Sequence, residues 1–317
     1  MRRILQQVDL RRVTRLGAFL LALVLTASWP LAGAEPPPDG ENDEPATAED
    51  VAKGFRDRIV ITATRGERQA REVPVNLSIL DQQEIELSPA LMTDDLLRQI
   101  PGFNLLQQGS SRVMHPAVQS LSMRGVGGSS TSRTLVLLDG IPLNDPFGGW
   151  IYWNRVPPGL VEQVEVVRGG GASAWGNGAL GGVVHLITRK PAGRAVTFSG
   201  QGGSKETYQA TLSGGGGGEE WTVDGFVDLF DTAGYSRVDP AVRGPIDVPQ
   251  SSEHLGGALR LSHQATDSLS WSAKGTYYDE DRVNGTPQNM NQSDNQRLRA
   301  DLQGVRPSNS LWRFEVY

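Results

Sequence analysis

VEQVEVVRGGGASAWGNGALGGVVHLITRK, residues 161–190, decides how the rest of the chain is read. Val164 and Val166 alternate with Gln163, Glu165 and Val167, a two-residue period rich in β-branched side chains that marks a strand. Arg168 and three consecutive glycines stop it. Half of the positions from 169 to 182 are glycine, so the backbone there turns sharply or passes close to another segment. Val183, Val184, Leu186 and Ile187 then resume as a buried strand. Gly176, Gly178 and Gly181 satisfy the spacing GxGxxG, but a dinucleotide site needs a helix behind the glycines to hold the pyrophosphate. A strand former, VVHLIT, follows instead, and the next carboxylate is Glu206, out of place for a ribose contact. Gly171 and Gly176 have the Walker gap, yet Asn177 and Gly178 stand where Lys and a hydroxyl residue belong. The glycines therefore read as a turn between strands.

The run EVVRGGGASAWGNGALGGVVHLITRK resembles the end of the plug domain of TonB-dependent outer-membrane receptors. In that family an EVLRGP-like turn, a Tyr-Gly-Ser-Gly-like turn and a Gly-Gly-Val strand ending in Thr-Lys recur in this order. Trp175 stands for the usual Tyr, Gly170 for the usual Pro and His185 for the usual Asn. LSMRGVG at 121–127 and TLVLLDGIPLND at 134–145 resemble further plug motifs, so the likeness runs from residue 57 to Lys190. It implies an α+β plug domain followed by the first strands of an antiparallel transmembrane β-barrel.

The start of the chain fits export. Arg2, Arg3, Arg11, Arg12 and Arg15 precede an uncharged apolar core at 16–25 and an A-x-A-like site at 32–34, so residues 1–34 read as a signal peptide. Removing them leaves 25 basic against 35 acidic residues, a balance unlike that of a nucleic-acid protein. With no cysteine, the chain has neither a disulfide framework nor a thiolate metal site. Residues 35–56 form a linker: between 35 and 55 four prolines and seven carboxylates stand against Lys53, too little apolar surface to fold.

DRIVITATR, residues 57–65, is an extended apolar stretch in polar surroundings. It resembles the TonB box, which implies that Ile59, Val60, Ile61, Thr62 and Ala63 recruit a TonB-like inner-membrane energy-transducing complex by strand addition. The alternative is simply the first strand of the domain. Residues 66–192 are expected to form the plug. Asp81 with Glu84 predicts a capped helix, and Thr93 is expected to cap a second one over 94–100, ended by Pro101 and Gly102. Two stretches lack periodicity, 107–120 and 141–158. They carry Arg112, Met114 and His115, and Asp145, Phe147, Trp150, Tyr152, Trp153 and Arg155, the candidate ligand contacts. Packing against a neighbouring wall is an equal reading for the aromatics, and anchoring or solvent exposure the favoured one for His115. Arg124 and Arg168 each close an apolar strand beside glycine. The resemblance implies that they pair with acidic residues of the barrel wall and latch the plug.

From 193 to 317 dyad alternation recurs in seven segments, with apolar rows such as Trp221, Val223, Val227 and Leu229 opposite Thr222, Asp224 and Asp228. Such alternation in segments of roughly ten residues is the signature of a membrane barrel. Connections at 213–220, 265–267 and 307–310 are expected to be short, and those at 231–253 and 279–295 long. A connection near 202–206 breaks that rule. A barrel must close in lipid. Seven strands, the last cut at Tyr317, are therefore expected to be a fragment. No Ser-His-Asp, paired-carboxylate or metal-spaced cluster is present, so the expectation is a non-enzyme of the bacterial outer membrane with no cofactor and no nucleic-acid partner. It would be a ligand-gated importer of a scarce small-molecule nutrient, an iron chelate first on family prevalence. The competing expectation is a passive porin or surface adhesin with a periplasmic N-terminal domain.

Overall fold

The computed structural model describes residues 59–60, 68–69, 72, 75–107, 109–123, 125, 133–169, 175–190, 193–218, 220–305 and 310–317. The expected signal peptide, the linker, Ile61, Thr62, Ala63 and Arg124 lie outside the described residues. The chain divides into two compact units that part between Arg189 and Lys190.

Before the first unit's main sheet, β1 (Ile59–Val60) pairs with β2 (Arg68–Gln69). The main sheet has five strands in the order β3 (Leu77–Leu80), β8 (Val161–Arg168), β9 (Gly182–Thr188), β6 (Thr134–Leu138) and β7 (Ile141–Pro142). Only the β6–β9 pair is parallel. A separate pair joins β4 (Phe103–Leu106) to β5 (Ser120–Met123). β9 is a nearly continuous apolar run because it is covered on both faces, whereas β8 alternates apolar with polar residues and buries Glu165 fully. On one face Val164, Val166, Val184, Leu186 and Val136 pack with Leu96, Phe103, Met123, Ile151 and Trp153. On the other, Leu137, Ala179 and Val183 pack with Leu135 and Trp175.

The glycine-rich turn has a steric reason at one position. Gly182 has φ 139°, and a Cβ there would lie 2.2 Å from Met123 Cε and 2.3 Å from the Val167 carbonyl. The Asp139–Gly140 turn takes positive φ at both residues, 49° and 86°. The Asp139 carboxylate also accepts the Thr188 N–H (2.9 Å) and hydroxyl (2.8 Å), tying that turn to the end of β9.

Helix α1 (Gln82–Leu87) carries the expected capping box. Asp81 accepts the Glu84 N–H at 2.9 Å, and Glu84 accepts the Asp81 N–H at 2.8 Å. Helix α2 (Thr93–Leu97) differs from expectation in its start, its length and its cap. Met92 is its N-cap, without a side-chain hydrogen bond, because the buried Thr93 hydroxyl donates to the Val156 carbonyl instead (2.5 Å).

The second unit is one antiparallel sheet of seven strands in chain order. They are β10 (Ala195–Gly203), β11 (Thr207–Gly217), β12 (Trp221–Tyr235), β13 (Gln250–Thr266), β14 (Leu269–Asn284), β15 (Met290–Val305) and β16 (Leu311–Val316). The register puts Asp224, Arg260, Lys274 and Arg299 in one cross-strand row. Arg260 donates from both Nε (2.7 Å) and NH2 (2.8 Å) to Asp224. The opposite face exposes Val196, Phe198, Leu229, Leu298, Phe314 and Val316. At the end beside the 267–268 turn this apolar face carries Trp221 stacked on His263 (3.9 Å between centroids), with Trp271 edge-on to both. Such aromatic rows mark the interfacial bands of membrane barrels.

Both connections expected to be long shrink, and so does the second, expected at 213–220, which lies between Gly217 and Trp221 because β11 stays paired through 214–217. The fifth spans only 285–289, where 279–295 was expected, and the third spans 236–249 rather than 231–253. Residues 279–284 and 290–295 are mostly polar on both faces, so no dyad signal marks them, yet they pair residue by residue, Asp279 with Asp294 and Asp281 with Gln292. Backbone hydrogen bonding needs no apolar side chain. β14, with 16 residues, runs about 50 Å at ~3.3 Å per residue, beyond the apolar band of a barrel.

Candidate functional site

Two aperiodic loops of the first unit, 107–119 and 143–158, come together through their aromatic residues. Asn144 fixes the start of the second. Its side-chain carbonyl accepts the N–H of the fully buried Val136 (2.7 Å), and its amide donates to the carbonyls of Thr134 (3.1 Å) and Gly149 (3.2 Å). Asp145 then caps the tip, accepting the N–H groups of Phe147 (2.9 Å) and Gly148 (2.8 Å). Backbone bonds from Asp145 N to Trp150 O and from Gly149 N to Asp145 O, each 2.8 Å, close it. The Trp150 indole lies over Gly148, where a Cβ would be 1.8 Å from a ring carbon. Phe147, at the tip, is 96 % exposed.

His115 comes from the other loop. Its Nδ1 accepts the Ala117 N–H (3.1 Å), capping a 3-10 turn at Pro116–Val118 and leaving Nε2 to carry the proton of the neutral ring. The ring meets Trp150 and Tyr152 edge-on, both at 6.3 Å between centroids. Three of the expected residues, His115, Trp150 and Tyr152, thus form one aromatic group on a stiff frame. Trp153 goes elsewhere. At 3 % exposure it belongs to the core and anchors the loop from beneath. Arg112 and Arg155 are half-buried, the former with its carbonyl held by Asn154 Nδ2 (3.5 Å). Asp145 shapes its own loop. Asn144 escaped sequence reading because nothing in its neighbours signals a side chain that bonds three backbone groups.

Beneath the loops, α2 holds both. Thr93 grips Val156, and the fully buried Asp94 meets Ser111 Oγ through Oδ1 at 2.6 Å. Burial pushes the Asp94 carboxyl up to about 6, and Asp95 adds to the rise, while the Ser111 bond and Arg98 oppose it. Of the residues expected to serve other roles, Arg168 donates from its guanidinium to the Pro101 carbonyl (3.1 Å) and to Ser78 Oγ. Ile59 and Val60 lie opposite Gln69 and Arg68. Among the described residues no group of three or more His, Asp or Glu could hold a metal ion.

The sequence profile of the TonB-dependent Receptor Plug Domain matches residues 69–183, which contain both loops and α2. The vitamin B12 transporter BtuB of Vibrio vulnificus (strain CMCP6) is 30 % identical over 263 residues, 80 % of this chain. This chain belongs to the TonB-dependent outer-membrane receptors. The siderophore receptor PirA of Acinetobacter baumannii superposes with a TM-score of 0.59 at 20 % identity, over 73 % of this chain and 38 % of PirA. The ferripyoverdine receptor of Pseudomonas aeruginosa does so at 0.62 and 17 %, over 82 % of this chain and 36 % of that receptor. The first unit is therefore a receptor plug domain, and the seven-stranded sheet is part of a receptor β-barrel. The receptor chain spans 41 % of the length of the Vibrio vulnificus relative.

Proposed function

We propose that the receptor imports a metal chelate across the outer membrane, gated by the plug and driven by a TonB-like partner. The aromatic group of His115, Trp150 and Tyr152 carries this reading. A few polar groups among preorganised rings suit capture of a bulky, partly planar small molecule. Ile59 and Val60 support the energy coupling, since a short strand away from the main sheet can take up a partner strand along its backbone. Arg124 and Arg168 are assigned by their motifs to a latch with acidic residues of the barrel wall, while the Arg168 bonds to Pro101 and Ser78 steady its strand end within the plug.

The ligand class follows the sequence relatives. Family prevalence favours an iron chelate, but the relatives at 30–31 % identity are named vitamin B12 transporters, while the siderophore receptors resemble this chain at 17–20 %, a level that speaks only for fold. A cobalamin-type corrinoid is accordingly our first assignment and a ferric siderophore the second. The test is uptake of labelled cyanocobalamin and of a labelled ferric siderophore by cells whose only such transporter is the complete receptor. One chelate should accumulate, and deleting residues 58–64 should abolish accumulation while surface binding persists. Uptake unaffected by the deletion would replace this reading with a passive porin, and binding of neither chelate would remove the ligand class.

A further inference from the structure

α2 is placed between the two ligand-facing loops, yet one of its contacts is chemically uneasy. Asp94 is fully buried, and its only hydrogen bond from a described side chain is the one Oδ1 accepts from the Ser111 hydroxyl. Its Oδ2 is buried without a hydrogen-bond partner. An ionised carboxylate in such a place loses its hydration and regains little of it, whereas the neutral acid avoids most of that loss.

The surrounding charges do not compensate. Asp95 on the same helix opposes ionisation, and Arg98 favours it but pairs with Asp95 at 3.4 Å. Arg112, next to Ser111 on the facing loop, and Arg155, on a 3-10 turn at Trp153–Arg155 packed against α2, are the cations of these neighbouring elements among the described residues. Both have interactions of their own. Ser111 begins the segment that continues through the buried Val113 and Met114 to His115. Whatever fixes Ser111 therefore fixes the base of the loop that carries the imidazole to Trp150 and Tyr152.

We propose that Asp94 is a positioning residue for ligand capture: in its neutral form it staples the His115 loop to α2, and ionisation loosens the loop. That the loop captures ligand rests on the function proposed above; that its order follows Asp94 does not. The Ser111 bond by itself favours the ionised carboxyl, and full burial outweighs it. The stapled loop prefers the protonated acid and the open loop, where the carboxyl meets water, prefers the ionised one. Opening therefore grows as pH rises through the interval between the ordinary carboxylate value and the raised one.

Amide hydrogen exchange of residues 111–119 in the ligand-free, full-length receptor tests this. Exchange is measured at pH 5 and 7.5 and corrected for the intrinsic pH dependence. Protection should drop about tenfold from pH 5 to 7.5 in the wild type. Asp94→Asn, which keeps the shape and cannot ionise, should remain protected at both. Ser111→Ala should lose protection at both. Equal pH responses in wild type and Asp94→Asn would overturn the proposal. Affinity for cyanocobalamin and for a ferric siderophore over the same range is the second readout. If exchange behaves as expected but neither affinity follows it, the staple stands and the ligand role of the loop falls.

Discussion

Replacing Asn144 with Ala should open the 143–158 loop without dismantling the plug. The side chain makes three hydrogen bonds to backbone groups, at 2.7, 3.1 and 3.2 Å, and one of them serves the N–H of Val136, which no solvent reaches. At about 1 kcal/mol for each bond, the loss is about 3 kcal/mol, and the stranded Val136 donor adds to it. A change of about 3 kcal/mol raises the population of the open loop on the order of 100-fold. The core stays, because Leu143, Ile151, Trp153 and Val156 remain packed on either side of the tip. Hydrogen exchange over residues 134–150 of the full-length receptor, with and without a bound chelate, reads the effect directly. Protection there should fall about 100-fold in the free protein, by the same arithmetic, and chelate affinity should weaken with it. Asp145→Ala is the graded control. Its two bonds cap an exposed tip, so the expected loss is only about 1 kcal/mol. Wild-type exchange over 134–150 in Asn144→Ala would refute the view that this side chain holds the loop.

Three further outcomes follow from the geometry. Gly182→Ala should prevent correct plug assembly, since the new Cβ meets the Val167 carbonyl at 2.3 Å and backbone cannot withdraw as a side chain can; protease resistance of the plug in the assembled receptor would remain normal only if this reasoning fails. Trp150→Ala combined with Tyr152→Ala should weaken chelate binding at least tenfold while leaving urea unfolding of the plug within about 1 kcal/mol of wild type, because neither ring belongs to the main core. For Asp94 the folded state binds more protons than the unfolded one between the ordinary value of 3.8 and about 6, so this group lowers stability as pH rises through that window. The span amounts to about 3 kcal/mol, so Asp94→Asn should be more stable than wild type by up to about that much at pH 7.5 and by little near pH 4. A urea titration of the plug at both values checks the sign.

The strands of both units that carry a regular period are legible in the residues alone. Val164, Val166, Val184 and Leu186 announced the central plug strands, Asp81 with Glu84 announced α1, and seven dyad rows announced the seven-stranded sheet, because each of these is a local rule that neighbouring residues enforce on one another. The residues also mark 107–120 and 141–158 as irregular, the second of them rich in aromatics. Their arrangement was decided only by tertiary structure. His115 meets Trp150 and Tyr152 across a gap in sequence that no period bridges. Trp153, one residue beyond Tyr152, turns into the core. Thr93 and Asp94 look like the start of a capped helix, yet they spend their side chains on Val156 and Ser111. The strand extensions at 279–284 and 290–295 were hidden for the same reason in reverse. Their pairing is carried by backbone groups that every residue possesses, and composition records only the side chains.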